Sequence, residues 1–164
     1  MVNDIDTFRI NAPNQRIMRL ERVRVVRLLR ALLPYALINE VGSTAVSGVI
    51  GKQDMDFSIK VHVDHFEQSK KSLDSCFLRN VDQIADHCIQ GYKVSSSLDV
   101  ALQLIVIESK YDVFDAFVCM LRRDAELKAA YNQLKIQWDG KPMKEYRQAK
   151  DIFISQALLN VELE

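Results

Sequence analysis

Asp54-Met55-Asp56-Phe57-Ser58-Ile59 alternates charged or polar side chains with apolar ones. A chain with that alternation is committed to a half-buried strand. Asp54 and Asp56 then share one strand face, about 7 Å apart along it. Met55 and Phe57 turn the other way, into a core. Two carboxylates so placed repel each other unless a cation lies between them. A magnesium ion, or manganese in its place, held by one or two carboxylates and by substrate phosphates, is the usual solution. The fold must therefore provide a strand with one dry face and one charged face.

The remaining pattern describes an α+β fold with a small mixed β-sheet flanked by helices and a helical C-terminal third. Asn14 caps a predicted Arg-rich helix over residues 15–33, with Ile17, Leu20, Val23, Val26 (or Val25), Leu28, Leu29 and Leu32 at helical spacing. Pro34 stops it. A sheet core spans residues 36–108: a short strand at Ala36–Val41, a turn and short helix to Gly51, and a strand at Met55–Val63. A helix capped by Asp64 runs through Leu73, and a strand covers Leu98–Ile107. Residues 75–97 are ambiguous, with a helix expected near Val81–Ile89 and a short strand near Tyr92–Val94. C-terminal helices fill residues 112–160, at Val113–Arg123, Ala125–Trp138 and Met143–Asn160. Asp139-Gly140-Lys141-Pro142 separates the last two. Residues 1–13 read as an irregular arm ending at Pro13, and residues 14–164 as one domain, in keeping with a chain of 164 residues.

Composition narrows the functional classes. No apolar run reaches the ~18–20 residues of a membrane span. The start, Met1-Val2-Asn3-Asp4-Ile5-Asp6, is acidic rather than signal-like. Cys76, Cys88 and Cys119 are scattered with no C-x-x-C pair, so reduced thiols and a cytoplasmic location are expected. The formal net charge is zero, yet residues 1–34 carry +4, residues 35–120 carry −5 and residues 121–164 carry +1. A basic flank beside an acidic centre suits a protein that holds both phosphates and metal ions, and equally suits charge scattered over a soluble surface. His62 and His65 lack the i, i+4 spacing of a helical metal pair. There is no G-x-S-x-G elbow and no G-x-x-x-x-G-K-[ST] loop, which argues against an α/β-hydrolase triad and a P-loop kinase.

Val41-Gly42-Ser43 precedes Asp54 with ten residues between Ser43 and the carboxylate pair. Gly42 permits a phosphate to approach the backbone closely, and Ser43 supplies a hydroxyl. Thr44 opens the following short helix, whose first N–H groups suit an anion. Asp99, at the start of the apolar Leu98–Ile107 strand, is costly there unless paired or metal-bound, or else is a strand-end residue facing water. Lys52 lies just before the carboxylate pair and is placed to meet phosphate oxygens.

An apolar residue, Gly, Gly or Ser, then some ten residues and two carboxylates flanking one apolar residue is similar to the signature of the polymerase-beta-like nucleotidyltransferase superfamily. The chain resembles the GrpB family more narrowly. Gly42-Ser43-Thr44-Ala45-Val46-Ser47-Gly48, then Lys52 and Asp56, looks like that family's Gly-Ser-Thr-Ala-Val-Pro-Gly…Lys…Asp hallmark. Phe117, Leu121 and Arg122 fit its Phe-Arg-Asp-Tyr-Leu-Arg segment. Tyr131, Leu134 and Lys135 fit its Tyr-x-x-Leu-Lys helix, and Tyr146, Lys150 and Phe153 fit its last helix. Ser47 replaces the family's Pro, Val118-Cys119 its Arg-Asp, and Gln103-Leu104-Ile105 its His-Leu-His strand. The resemblance implies binding of a nucleoside triphosphate with Mg2+ (or Mn2+) through Ser43, Asp54, Asp56 and Asp99, with Lys52, Arg122, Lys135 and Lys150 holding phosphates. The reaction implied is nucleotidyl transfer by in-line attack at the alpha phosphate, to an acceptor the sequence does not specify. A non-catalytic nucleotide- or protein-binding domain of the same fold is the alternative. The Arg-rich helix suggests a third reading as an RNA-associated adaptor, weakened by arginines spaced to wrap around much of the helix rather than form one narrow stripe and by the lack of interleaved aromatic residues.

Overall fold

Met55, Phe57, Ile59 and Val61 are each at most 1% exposed, while Asp54, Asp56 and Lys60 alternate with them on the opposite face. That strand is second in the element order of the computed structural model, which describes residues 6–12 and 14–161. The order is α1 (Gln15–Leu32), β1 (Leu37–Val41), β2 (Asp54–Val61), α2 (Phe66–Asp74), β3 (Leu78–Arg79), β4 (Ile89–Val94), β5 (Asp99–Val106), α3 (Phe114–Arg123), α4 (Ala125–Trp138) and α5 (Met143–Val161). Short 3-10 turns lie at Ser43–Ala45 and Val63–His65. The strands form one mixed sheet in the order β1-β2-β5-β4-β3. β2 and β5 run parallel, and the other neighbours pair antiparallel.

The sheet's dry face buries the larger core. Met18, Val25 and Leu29 of α1, and Phe66 and Leu73 of α2, pack on Met55, Phe57, Ile59, Tyr92, Leu102 and Leu104. Asn14 caps α1 by accepting a hydrogen bond from the Ile17 N–H at 3.2 Å. The other sheet face is polar along β2, and α3, α4 and α5 close over it. Ser58 and Lys60 meet α3 through Asp115 and through Asp112 in the turn before it, with Lys60 Nζ 2.7 Å from Asp112. Val41, Val46, Phe117, Leu121 and Tyr131 form the second apolar cluster, under the end of β1.

The structure departs from the expected elements in three places. Residues 81–88 form turns instead of a helix. Val81 and Ile84 are exposed and give a helix no face to bury, and Asn80 accepts from the Asp82 N–H in a local turn. The strand expected near Tyr92–Val94 starts at Ile89, because residues 89–94 all pair with β5. Asp64 sits inside the 3-10 turn rather than capping a helix, and α2 starts at Phe66. The arm's described part is docked: Thr7 bridges to Pro142, and Phe8 stacks on Tyr146 with ring centroids 3.8 Å apart. Pro13 lies outside the described residues. No helix among them is long and apolar enough to cross a membrane.

Replacing Phe57 by Ala is expected to cost about 3–5 kcal/mol in urea unfolding, and a loss below about 1 kcal/mol would contradict the assigned core.

Candidate functional site

Val41, the last residue of β1, pairs directly with Asp56. Gly42 follows with φ +75°, and a Cβ there would lie 2.7 Å from Asp56 Oδ2. Glycine is required twice over, by the left-handed backbone and by the carboxylate pressed against its Cα. The chain turns at once into the 3-10 segment, where Ser43 Oγ accepts a hydrogen bond from Lys135 Nζ. Gly51 closes the far side of the turn, since a Cβ there would lie 2.9 Å from Ser43 Oγ. Strand pairing thus brings the Gly-Ser element and the carboxylate pair to one place.

The helices complete the surroundings. Tyr131 and Lys135 sit four residues apart on α4, as do Tyr146 and Lys150 on α5. Each ammonium lies over its own tyrosine ring, at 4.6 Å for Lys135 and 5.9 Å for Lys150. Tyr131 edges against Phe117, and Tyr146 is stacked by Phe8. These buried rings fix the two lysines toward the carboxylates of β2. Lys135 is only 2% exposed. Burial, and then Lys150, push its ammonium down to about 8, with Asp54 and Asp56 acting in the opposite sense. Burial and the adjacent carboxylates raise the hydroxyls of Tyr131 and Tyr146 well above their ordinary range. Sequence reasoning placed the two lysines but missed the tyrosines as their supports and Gly51 as the wall behind Ser43. The repeated Tyr-x-x-x-Lys spacing was the available signal for the former.

Asp56 is the most strongly perturbed carboxylate of the site. Burial, and then the Asp54 carboxylate, push it up to about 7, although Lys150 and Lys52 pull it down. A carboxylate that stays high with two ammoniums nearby lacks counter-charge. The pair therefore fits a divalent cation, for which two carboxylates on one strand face are suitable hard oxygen donors. The third carboxylate is a different matter. Asp99 lies opposite Asp54 across the parallel register, but its side chain is 68% exposed and is held by Lys52 Nζ at 2.7 Å. Lys52 also reaches Asp54 at 3.5 Å. Burial alone would lower the Lys52 ammonium, but Asp54 and Asp99 outweigh it and hold it above its ordinary value. Ala101 stands opposite Asp56. Among the described residues no three His, Cys, Asp or Glu side chains converge as a metal cage.

Arg122 stands apart from this cluster. It donates to the Ala45 carbonyl at 2.7 Å and lines a cavity of about 500 Å³ with Asn39, Lys60, Asp115 and Thr44. Thr44 Oγ1 is buried without a hydrogen-bond partner. Ser43, Thr44, Gly51 and Gln53 also line a cavity of about 680 Å³, whose other wall is Gln15, Met18 and Arg22 of α1. The two carboxylates are not among the residues lining either cavity; Asp54 is 24% exposed, beneath the helices.

A mixed sheet whose second strand starts with the carboxylate pair, beside a Gly-Ser turn, defines a nucleotidyltransferase-like fold. Solved structures agree. The Cid1 poly(U) polymerase bound to MgGTP superposes with a TM-score of 0.51 at 18% identity, over 77% of this chain and 43% of Cid1. This chain thus spans less than half of that protein. The crystal structure of the conserved protein GrpB from Enterococcus faecalis matches with a TM-score of 0.63 at 13% identity, over 92% of each chain. The family model for GrpB protein matches residues 11–159. A UPF0157 protein of Vibrio cholerae is 32% identical over 131 residues, 79% of this chain and 70% of that protein. The chain belongs to the GrpB family.

Two outcomes follow from this geometry. Because Asp56 sits near 7 in the folded chain against 3.8 in an unfolded one, the folded protein binds more protons across that interval and its stability falls as pH rises through it. Asp56→Asn removes that loss, so its melting temperature should exceed the native protein's at pH ~8 and match it at pH ~4. A native protein as stable at pH ~8 as Asp56→Asn would contradict the burial of the charge. Gly42→Ala should destabilise by about 1–3 kcal/mol in urea unfolding, from backbone strain alone.

Proposed function

We propose that the chain binds a nucleoside triphosphate with a divalent cation, magnesium or manganese, and transfers its nucleotidyl group to an acceptor. One observation carries the reading: the register of β1 on β2 seats Gly42 against Asp56, joining the phosphate-binding turn to the carboxylate pair. Asp54 and Asp56 would hold the cation, with Asp99 beyond Lys52 as the outer carboxylate. The bound metal supplies charge stabilisation at the phosphoryl oxygens. Ser43 and the N–H groups following it, with Thr44, orient the phosphate chain beside Gly42. Lys135 fixes the Ser43 hydroxyl, and Lys135 and Lys150 bring positive charge to the triphosphate. Lys52 is a gate to the carboxylates in this reading, since it must leave Asp54 for an incoming phosphate as the metal replaces its charge. Arg122 would bind phosphate only from the neighbouring cavity, across the Thr44–Ala45 turn.

Attack by the acceptor hydroxyl on the alpha phosphorus forms one P–O bond and breaks the bond to pyrophosphate. Asp56, left deprotonated once the cation is bound, would accept the acceptor's proton. A second reading, a nucleotide-binding module without transfer, is favoured by Asp99, which faces solvent with Lys52 rather than the other two carboxylates. A cytoplasmic site of action fits either reading.

Incubation with magnesium and each of the four alpha-labelled nucleoside triphosphates decides between them. Pyrophosphate release or label transfer is expected from the native chain and background from Asp56→Asn. Nucleotide binding without turnover would favour the binding module, and absence of both would overturn the nucleotide reading.

A further inference from the structure

The arginines of α1 are sorted by their partners. Arg22 pairs with Glu40 across to β1, and Arg24 with Glu21 and the Ser95 carbonyl. Arg16, Arg19, Arg27 and Arg30 are exposed and make no ion pair among the described residues. At 100° per residue these four fall within an arc of about 80° on one helix face, over about 21 Å of axis. The arginines that lie off this face, Arg22 and Arg24, are the two already paired. What remains is one stripe, with Arg16 and Arg19 at one end and Arg27 and Arg30 about 16 Å away. Leu20 and Val23 lie between them, 64% and 45% exposed.

Four unpaired guanidiniums on a rigid helix are a costly arrangement for a free surface, because like charges along one face repel. Their fork geometry matches phosphate oxygens, and their axial spread matches an extended polyanion better than a single small ligand. A lipid surface fits less well. An interfacial helix sinks an apolar face into the bilayer, and the apolar face of α1, with Met18, Val25 and Leu29, is already buried on the sheet. The adjoining helix face, Gln15 and Arg22, walls the cavity that ends at Ser43. The stripe thus adjoins the α1 wall of that cavity, though none of its four arginines lines it.

We propose that the exposed face of α1 binds the sugar-phosphate backbone of a nucleic acid through Arg16, Arg19, Arg27 and Arg30. The contact is independent of any transfer chemistry at Asp54 and Asp56, so it stands or falls separately from the nucleotide site. It is made without base readout, since no aromatic side chain lies on the stripe, and sequence preference should be weak.

The test is fluorescence anisotropy of the full chain with a labelled 20-nucleotide single-stranded RNA and, separately, a 20-base-pair duplex. Four phosphate contacts give a salt slope of about −2.8 on a single strand and about −3.6 on a duplex, so affinity for the single strand should fall about fifty-fold between 50 and 200 mM salt. Each of Arg16→Ala, Arg19→Ala, Arg27→Ala and Arg30→Ala should flatten the slope by about 0.7–0.9. Arg24→Ala, which removes a paired arginine, should leave the slope unchanged. Alanine is the best helix former, and circular dichroism confirms that α1 persists in each variant. The probe bound more tightly shows which form of backbone is preferred, and binding to either with the expected slope supports the proposal. No binding to either probe at 50 mM salt, a slope the four substitutions do not change, or capture by phosphatidylserine vesicles without nucleic-acid binding overturns it.

Discussion

The contact between Asp56 and Gly42 constrains everything around it. Asp56 is paired to Val41 by backbone register, and its carboxylate rests where a Cβ of residue 42 would be. The carboxylate is held against the Gly42 backbone, where burial and Asp54 keep its pKa raised. Gly42 in turn has no alternative to φ +75°, which aims Ser43 toward α4. One pair of adjacent strands thereby sets the position of a carboxylate, a hydroxyl and the start of the 3-10 turn.

The balance of charge is organised by layer. On the polar face of the sheet, carboxylates from β2 feel the charge of ammoniums from α4 and α5 without pairing to them, each ammonium propped on a buried tyrosine ring. Lys52 ties Asp54 to Asp99 at the sheet's end, and Lys60 ties β2 to Asp112 and Asp115. On the dry face α1 contributes only apolar side chains inward and leaves its unpaired arginines outward. The formal charge of zero is thus the sum of an internal, mostly compensated site and an external basic stripe. Compensation is incomplete at Asp56, which burial and Asp54 hold high, and at Lys135, which burial and Lys150 hold low.

Much of this was legible in the chain. Alternation in residues 54–61 gave the correct faces of β2, because burying one side of a strand leaves no freedom of register. The helix over Ala125–Trp138 matches residue for residue, since Asp124 caps it and Asp139 ends it. The segment from residue 80 to 89 was not legible. Val81 and Ile84 suggest a buried helix by spacing, but they are exposed, and the turn is held by polar contacts such as Gln83 to Gln103 at 2.7 Å. Pairing was also hidden. Lys52 stands where a phosphate ligand was expected, yet its partners Asp54 and Asp99 meet only once β2 and β5 lie side by side. Arg122 fits the family spacing but faces the neighbouring cavity, because the Ala45 carbonyl captures it. The arginine stripe was hidden in part the same way, since Arg22 finds Glu40 only in the folded chain, although the Arg24–Glu21 pair is local to α1.

Proton release on cation binding tests the central claim most directly. With Asp56 near 7, a cation held by Asp54 and Asp56 must displace the proton that Asp56 carries at pH ~6.5. Calorimetric titration of manganese into the chain with a non-hydrolysable triphosphate, in two buffers of different ionisation enthalpy, should show about 0.8 proton released per ion after subtraction of the nucleotide's own protons. Asp56→Asn should release markedly less, since only neighbouring groups such as Lys135 remain to respond. Tight binding with no proton release from the native chain, or the same release from Asp56→Asn, would contradict the placement of the cation at this pair.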